Sequence, residues 1–196
     1  MAPPPPHLVV LAGPNGAGKS TSAPWLLKDS LKVTDFVNAD IIARGLSAFE
    51  PERAALPAGR VMLGRIKELA RSRASFAFET TLASRTFAPW IEGLIRGGYV
   101  FHLVFLWLRD SDLAVTRVAD RVRKGGHSVP TPTIRRRYVR GLRNFFEIYR
   151  PLSASWLIYD SSGPFRPRPV AGGQGRRVVE IMDRRAWTSI EEQGIG

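Results

Sequence analysis

The stretch Gly13-Pro14-Asn15-Gly16-Ala17-Gly18-Lys19-Ser20-Thr21 constrains this chain more than any other. It follows the apolar run Leu8-Val9-Val10-Leu11 and opens a helical segment, so it meets the phosphate-loop pattern G-x-x-x-x-G-K-[ST] in its strand-to-helix context. Glycines at these positions let successive backbone N–H groups turn toward one point, and the following helix aims its positive end there. Residues 13–21 are therefore the predicted nucleotide-binding segment. Lys19 is predicted to reach the β- and γ-phosphates, and Ser20 to hold Mg²⁺. The expected cofactors are ATP or GTP with Mg²⁺.

With 196 residues, 44% of them hydrophobic, the chain can bury one proper core, and a single domain over 1–196 is expected. Cysteine is absent and the three histidines, His7, His102 and His127, are scattered. Disulfides and a zinc site are thereby excluded. The Pro-rich tail 1–6 lacks the features of a signal peptide, and the apolar run Tyr99 to Leu108 is too short to span a bilayer. A cytoplasmic protein without membrane contact is expected.

The net charge of +12 raises the question of nucleic acid. Residues 117–143 carry nine arginines and lysines against one acid, Asp120. Such a block can grip a polyanion backbone or close over a nucleotide's phosphates. It lacks the interleaved aromatic platform of single-strand binders.

Patterning places the elements. Ser20 to Leu27 continues the first helix, shortened or bent by Pro24. Phe36 to Ala39 reads as a second strand ending at Asp40, before a helical Ile41 to Leu46. A longer helix spans Pro51 to Arg71, with Val61, Leu63, Ile66 and Leu69 in the core and Pro57 as a potential break. Ser75 to Phe78 is the third strand and delivers Glu79-Thr80-Thr81 at its end. Arg85 to Arg96 is a helix stopped by Gly97-Gly98, and Tyr99 to Leu108 is a strand covered on both faces.

Asp110 or Ser111 caps the next helix, with Val115, Val118, Ala119 and Val122 inward and Arg117, Arg121 and Lys124 on the opposite face. Thr131 reads as the cap of a helix whose apolar stripe is Ile134, Tyr138, Leu142, Phe145 and Tyr149. Trp156 to Tyr159 is a further strand, 163–175 a Gly/Pro-rich loop, and Arg177 to Ile181 a last strand. Ala171-Gly172-Gly173-Gln174-Gly175 echoes an ABC-transporter signature, but it does not open a helix, so it is set aside. The alternation of strands and helices means α/β.

Taken together, the phosphate loop, Val37-Asn38-Ala39-Asp40, Phe78-Glu79-Thr80-Thr81, Arg117 to Val122 as R-V-x-x-R-V, Gly125-Gly126-His127-x-Val-Pro and Ile134-Arg135-Arg136-Arg137-Tyr138 resemble the zeta-toxin family, in its short single-domain branch. The likeness covers about residues 8–162. It implies a three-layer P-loop fold of the nucleotide-kinase type, with a mainly parallel five-stranded sheet and room for a C-terminal edge strand. It further implies phosphoryl transfer to a hydroxyl of a nucleotide sugar such as UDP-N-acetylglucosamine, or of a related nucleotide, and a small antitoxin as partner.

In that resemblance Asp40 matches the general base, a role that a carboxylate at this strand end can fill; the competing reading makes it a helix cap. Asn38, Glu79, Thr80 and Thr81 match the substrate-binding region, against a reading in which they only bond within their loops. Arg117 and Arg121 are first choices for neutralising the transferring phosphoryl group, with Arg135 to Arg137 as alternatives and His127 as a lid residue. No apolar run closing on Asp-Glu follows Leu108, which disfavours an ordinary Walker-B ATPase. The second function class is a nucleic-acid-associated ATPase using the 117–143 block.

Two outcomes are expected. Lys19→Ala should abolish nucleotide turnover while the circular-dichroism spectrum stays native, because the change removes a charge aimed at phosphates and not a packing element; undiminished phosphoryl transfer would refute the phosphate-loop assignment. No appreciable retention of RNA or DNA at physiological salt should be seen in filter binding, whereas a nucleic-acid binder would hold either polymer with a steep salt dependence.

Overall fold

The computed structural model describes residues 4–48, 53–126 and 128–195. Alternation in the first strand shows how the layers arise. In β1 (His7–Ala12) Leu8, Val10 and Ala12 enter one apolar cluster while Val9 and Leu11 enter another. A strand buried on both faces must be covered twice, which makes the sheet the middle of three layers.

Around β1 run β2 (Asp35–Val37), β3 (Phe76–Thr80), β4 (Val100–Trp107), β5 (Ser155–Asp160), β6 (Arg168–Gln174) and β7 (Arg177–Ile181), in the order β2-β3-β1-β4-β5-β6-β7. The first five are parallel, whereas β6 and β7 extend the sheet antiparallel. Register aligns Leu11 with both Glu79 and Val104, so the ends of β1, β3 and β4 open on one edge. This is the α/β kinase-type fold expected, with two antiparallel strands beyond the five parallel ones.

Helices fill both faces. On one lie α3 (Ala55–Arg71) and α4 (Phe87–Arg96), together with α8 (Arg184–Ile195); on the other lie α1 (Lys19–Ala23) and α5 (Ser111–Arg123). The short α2 (Ala39–Leu46) follows β2. Helix α6 (Thr131–Asn144) spans both clusters, giving Ile134 and Tyr138 to one and Leu142 to the other, and continues through a π-helical turn, Phe145–Tyr149, into α7 (Arg150–Leu152). The predicted stripe from Ile134 to Tyr149 is buried throughout. Pro24 acts as its missing N–H requires: α1 stops at Ala23 and the chain goes on as π-helix over Pro24–Ser30.

Several expectations are corrected. Strand β2 ends at Val37, and Asn38 rather than Asp40 caps the next helix, its Oδ1 accepting from the N–H groups of Asp40 (2.8 Å) and Ile41 (3.1 Å). Pro51 lies outside the described residues; α3 begins at Ala55, and Pro57 falls in its first turn, where a proline displaces no helical hydrogen bond. Its buried face is Ala58, Met62, Ile66 and Leu69, whereas Val61 and Leu63, about 100° to either side of Met62, are exposed.

Helix α5 is likewise turned from the expected face, burying Ala114 and Val118 and exposing Val122. Ala114 packs in one cluster with Ala17 of the phosphate loop. Asp110, not Ser111, caps this helix, accepting from the Leu113 N–H at 2.7 Å. At α6 the cap position is Pro130, with Thr131 already helical.

The largest departure is at the C-terminus. Residues 168–174, expected within a loop, form β6, and α8 follows β7. The cause is tertiary. Trp156 of β5 lies opposite Gly173 in the sheet, stacks on Trp187 of α8 with centroids 5.7 Å apart, and donates its indole N–H to the Gly175 carbonyl at 2.9 Å. The glycines leave room for their neighbours in β5: a Cβ on Gly173 would stand 2.6 Å from the Trp156 ring, and one on Gly172 would stand 2.8 Å from the Leu157 side chain. The ABC-like sequence is this strand and its turn. Trp187→Ala should destabilise the protein by about 3–5 kcal/mol in urea denaturation, the range for emptying a buried aromatic site; an unchanged midpoint would show that α8 is peripheral.

Candidate active site

Phosphate loop, β3, α2, α5 and α6 converge on a cleft of about 640 Å³ at the sheet edge. Gly13 leaves β1 with φ +139°, and a Cβ there would stand 2.3 Å from the Leu106 carbonyl oxygen of β4. Only glycine permits the loop to turn so close to the neighbouring strand. Asn15, Gly16, Gly18, Lys19, Ser20 and Thr21 line the cleft directly.

Lys19 is the first residue of α1 and is buried. Its Nζ donates to the carbonyls of Gly13 and Pro14, each at 2.9 Å, and lies 3.6 Å from Glu79 Oε1. Burial pulls its pKa below the ordinary lysine value, while the carboxylates of Glu79 and Asp40 oppose that shift. Ser20 donates its hydroxyl to Glu79 Oε2 at 2.8 Å, and the Asn38 amide donates to the same oxygen at 2.5 Å and to Ser20 Oγ at 3.1 Å. One carboxylate thus ties together β3, α1 and the start of α2.

Asp40, at the second position of α2, has its N–H in the Asn38 cap and its carboxylate directed elsewhere, 3.7 Å from Arg121 Nη1 of α5. The cap reading of Asp40 is therefore excluded. Its side chain is 42% exposed, within reach of anything in the cleft.

Arg117 and Arg121 share a face of α5 but have different surroundings. Arg117 donates to three main-chain carbonyls after β5, Ser161 (2.6 Å), Ser162 (2.9 Å) and Gly163 (2.9 Å). Ser161 in turn donates its hydroxyl to the Ala17 carbonyl at 2.7 Å, linking that segment to the phosphate loop. Arg121 instead faces Asp40.

Thr80 and Thr81 also line the cleft, and each accepts from a backbone N–H two residues on, that of Leu82 (3.2 Å) and Ala83 (3.5 Å). These bonds accompany a turn in which buried Leu82 takes φ +56°. Of the three consecutive arginines, Arg137 lines the cleft, Arg135 is held by Asp112 and Ser111, and Arg136 is exposed. His127 lies outside the described residues.

The cleft contains residues that pattern reading did not assign to a site: Arg44, Asp120 and Lys124. Arg44 had a usable signal, since it lies four positions after Asp40 and so shares its face of α2. Lys124 stands three positions after Arg121 by the same logic. Asp120 is paired with Arg123.

The donors fit a phosphorylated nucleotide with a hard cation. Ser20 and Glu79 present adjacent oxygens of the type Mg²⁺ prefers, and Asn15 Oδ1 is a buried acceptor without a partner at the cleft wall. Among the described residues no group of three or more His, Cys, Asp or Glu could hold a metal. A cation here would depend on Ser20, Glu79 and the phosphates themselves. Among the described residues, too, no helix is long and apolar enough to cross a membrane.

Comparison with known proteins agrees with this architecture. Residues 8–141 match the family described as AAA domain. An uncharacterized protein of Haemophilus influenzae is 25% identical over 130 residues, covering 66% of this chain and 91% of that protein. The AvrRxo1-ORF1:AvrRxo1-ORF2 complex crystallised with sulphate ions superposes with a TM-score of 0.71 at 15% identity, over 94% of this chain and 63% of that one. The same complex with ATP gives 0.69 at 17% identity and equal coverage. This chain thus spans less than two thirds of that structure's length. A chain of the PezAT chromosomal toxin–antitoxin system of Streptococcus pneumoniae superposes at 0.64 and 16% identity, over all of this chain and 81% of that one. With its phosphate loop, strand order and matched region all in agreement, this chain belongs to the AAA domain family and carries a P-loop kinase-type fold.

Proposed function

We propose that this protein is a phosphotransferase that moves the γ-phosphoryl group of ATP or GTP to a hydroxyl of a nucleotide sugar, of the UDP-N-acetylglucosamine kind, or of a related nucleotide. The observation that carries this reading is Asp40. A binding-only P-loop protein has no need of a second carboxylate in the same cleft, spared from capping by Asn38 and held 3.7 Å from an arginine.

In this reading Lys19 leaves its carbonyl partners to bind the β- and γ-phosphates. Ser20 and Glu79 would hold Mg²⁺, which when bound would supply positive charge against the phosphate oxygens. Asp40 accepts the proton of the acceptor hydroxyl as that oxygen bonds to the γ-phosphorus, and the bond from phosphorus to the β–γ bridging oxygen breaks. Arg121 then offsets charge on the transferring group, having its guanidinium already beside Asp40. Arg117 acts as a positioning residue, because its donors are committed to residues 161–163. Asn38 positions Glu79, while Thr80 and Thr81 form the acceptor wall.

ATP is supported by the complex of similar fold crystallised with it. Both solved relatives come from two-protein systems, one of them named as a toxin–antitoxin pair, which supports a small protein partner that restrains the activity. The nucleic-acid reading loses its main support. Six of the nine basic residues are divided between the 161–163 segment, Asp40, Asp120, Asp112 and the cleft, which leaves only Arg136, Arg140 and Arg143 on the outer face of α6 to meet a polyanion.

Asp40→Asn tests the proposal, since the amide preserves size and leaves the Asn38 cap untouched. Single-turnover transfer to a UDP-sugar acceptor should fall about 10²-fold or more, the scale of general-base loss, with the nucleotide dissociation constant retained. Near-wild-type transfer with intact binding would remove Asp40 from the mechanism and make Glu79 the next carboxylate to examine.

A further inference from the structure

The segment 81–86, which joins β3 to α4, lies outside strand and helix, so its main-chain groups have no ladder to enter and must be met by other partners. The N–H groups of Leu82 and Ala83 are met from within, by the hydroxyls of Thr80 and Thr81. Its carbonyls are met from α6 and the π-helical turn after it. The buried Asn144 amide donates to the Leu82 carbonyl at 2.7 Å, and the Tyr149 hydroxyl donates to the Ser84 carbonyl at 2.6 Å. At Gly141 the backbone of α6 comes so close that a Cβ would stand 2.3 Å from the Thr81 carbonyl oxygen.

Gly141 and Asn144, three positions apart, share a face of α6 as any α-helix allows. Tyr149 does not follow from that rule, because five residues of α-helix turn the chain through about 500° and leave the two side chains about 140° apart. The turn Phe145–Tyr149 is instead π-helical, and its wider winding brings Tyr149 back toward the Asn144 face. Phe145 anchors that turn in the core, with its ring centroid 5.1 Å from Phe105 and 5.9 Å from Trp156. Leu82 shows what the turn has to hold. It is buried at φ +56°, a left-handed conformation that a bulky L residue keeps only where its surroundings enforce it.

We infer that Asn144 and Tyr149 are positioning residues for the acceptor: set on one side by the π-helical turn, they clamp the strained 81–84 segment in the shape that presents Thr80 and Thr81 to the cleft. This rests on the phosphotransferase reading and deepens it, since acceptor affinity then depends on two side chains that do not line the cleft. Burial pushes the Tyr149 hydroxyl up to about 12, so it stays neutral and able to donate.

UDP-N-acetylglucosamine is the acceptor probe, with ATP and Mg²⁺ as donor. Asn144→Ala and Tyr149→Phe should each raise its KM about three- to tenfold, the range for losing one buried hydrogen bond, with kcat and the ATP dissociation constant retained. A residue that only stabilised the fold would give the opposite split, because a smaller folded fraction lowers kcat and leaves KM where it was. Tyr149→Phe keeps the ring and its packing, so it decides the matter even where Asn144→Ala fails to fold. An unchanged acceptor KM in Tyr149→Phe, a fall in kcat alone, or weakened ATP binding would overturn the inference and leave the phosphotransferase reading standing. A wild type that transfers nothing to the UDP-sugar would overturn the nucleotide-sugar reading and this inference with it.

Discussion

A carboxylate at the end of a buried strand has to be met by partners, and Glu79 is the group on which this site is assembled. Its side chain is only 13% exposed, and it gathers Lys19 at 3.6 Å, the Ser20 hydroxyl at 2.8 Å and the Asn38 amide at 2.5 Å. Leaving such an anion unpaired in that position would cost several kcal/mol. The parallel pairing of β1 with β3 sets Leu11 beside Glu79, and so brings the phosphate loop within reach of the carboxylate. Asn38 extends the connection, because the side chain that donates to Glu79 also caps α2 and thereby aims Asp40.

A second brace works from the opposite side of the cleft. Arg117 binds the segment after β5, and Ser161 within that segment binds the phosphate loop at Ala17. These bonds fasten α5, the segment after β5 and the loop to one another, which positions Arg121, one turn further along α5, against Asp40. The C-terminal addition supports this arrangement from behind. Gln193 of α8 accepts from Tyr138 Oη at 2.7 Å and from the Trp107 indole at 3.2 Å, and donates to the Arg109 carbonyl at 3.1 Å, so α8 clasps α6 to the end of β4. Burial raises the Tyr138 hydroxyl pKa well above its ordinary value, which keeps that hydroxyl neutral and able to donate.

High net charge here is an outcome of site construction more than of a polyanion track. The arginines of α5 and α6 divide among carbonyl ligation, carboxylate pairing and an unneutralised remainder inside the cleft. Arg136, Arg140 and Arg143, at i, i+4 and i+7, are left on the outer face of α6, where solvent screens them. Charge alone could not separate these fates, because they depend on which acidic or carbonyl group each helix happens to oppose.

The sequence by itself determined the phosphate loop, the parallel strands, the inward stripe of α6 and the meeting of Asp40, Glu79, Arg117 and Arg121 in one region. Those features are written locally, in glycine spacing, in apolar periodicity and in residues placed at strand ends, where an open α/β sheet gathers its ligands. Tertiary structure decided the rest. Asn38 rather than Asp40 became the cap because the Asn38 amide could also satisfy Glu79, a partner 41 residues away. Ala171-Gly172-Gly173 became strand because it pairs with β5, where the Trp156 ring and the Leu157 side chain occupy the space that Cβ atoms on Gly173 and Gly172 would fill. Arg44 and Arg137 entered the cleft because α2 and α6 converge on it from opposite ends of the fold, and no local pattern records which distant helix a given arginine will face.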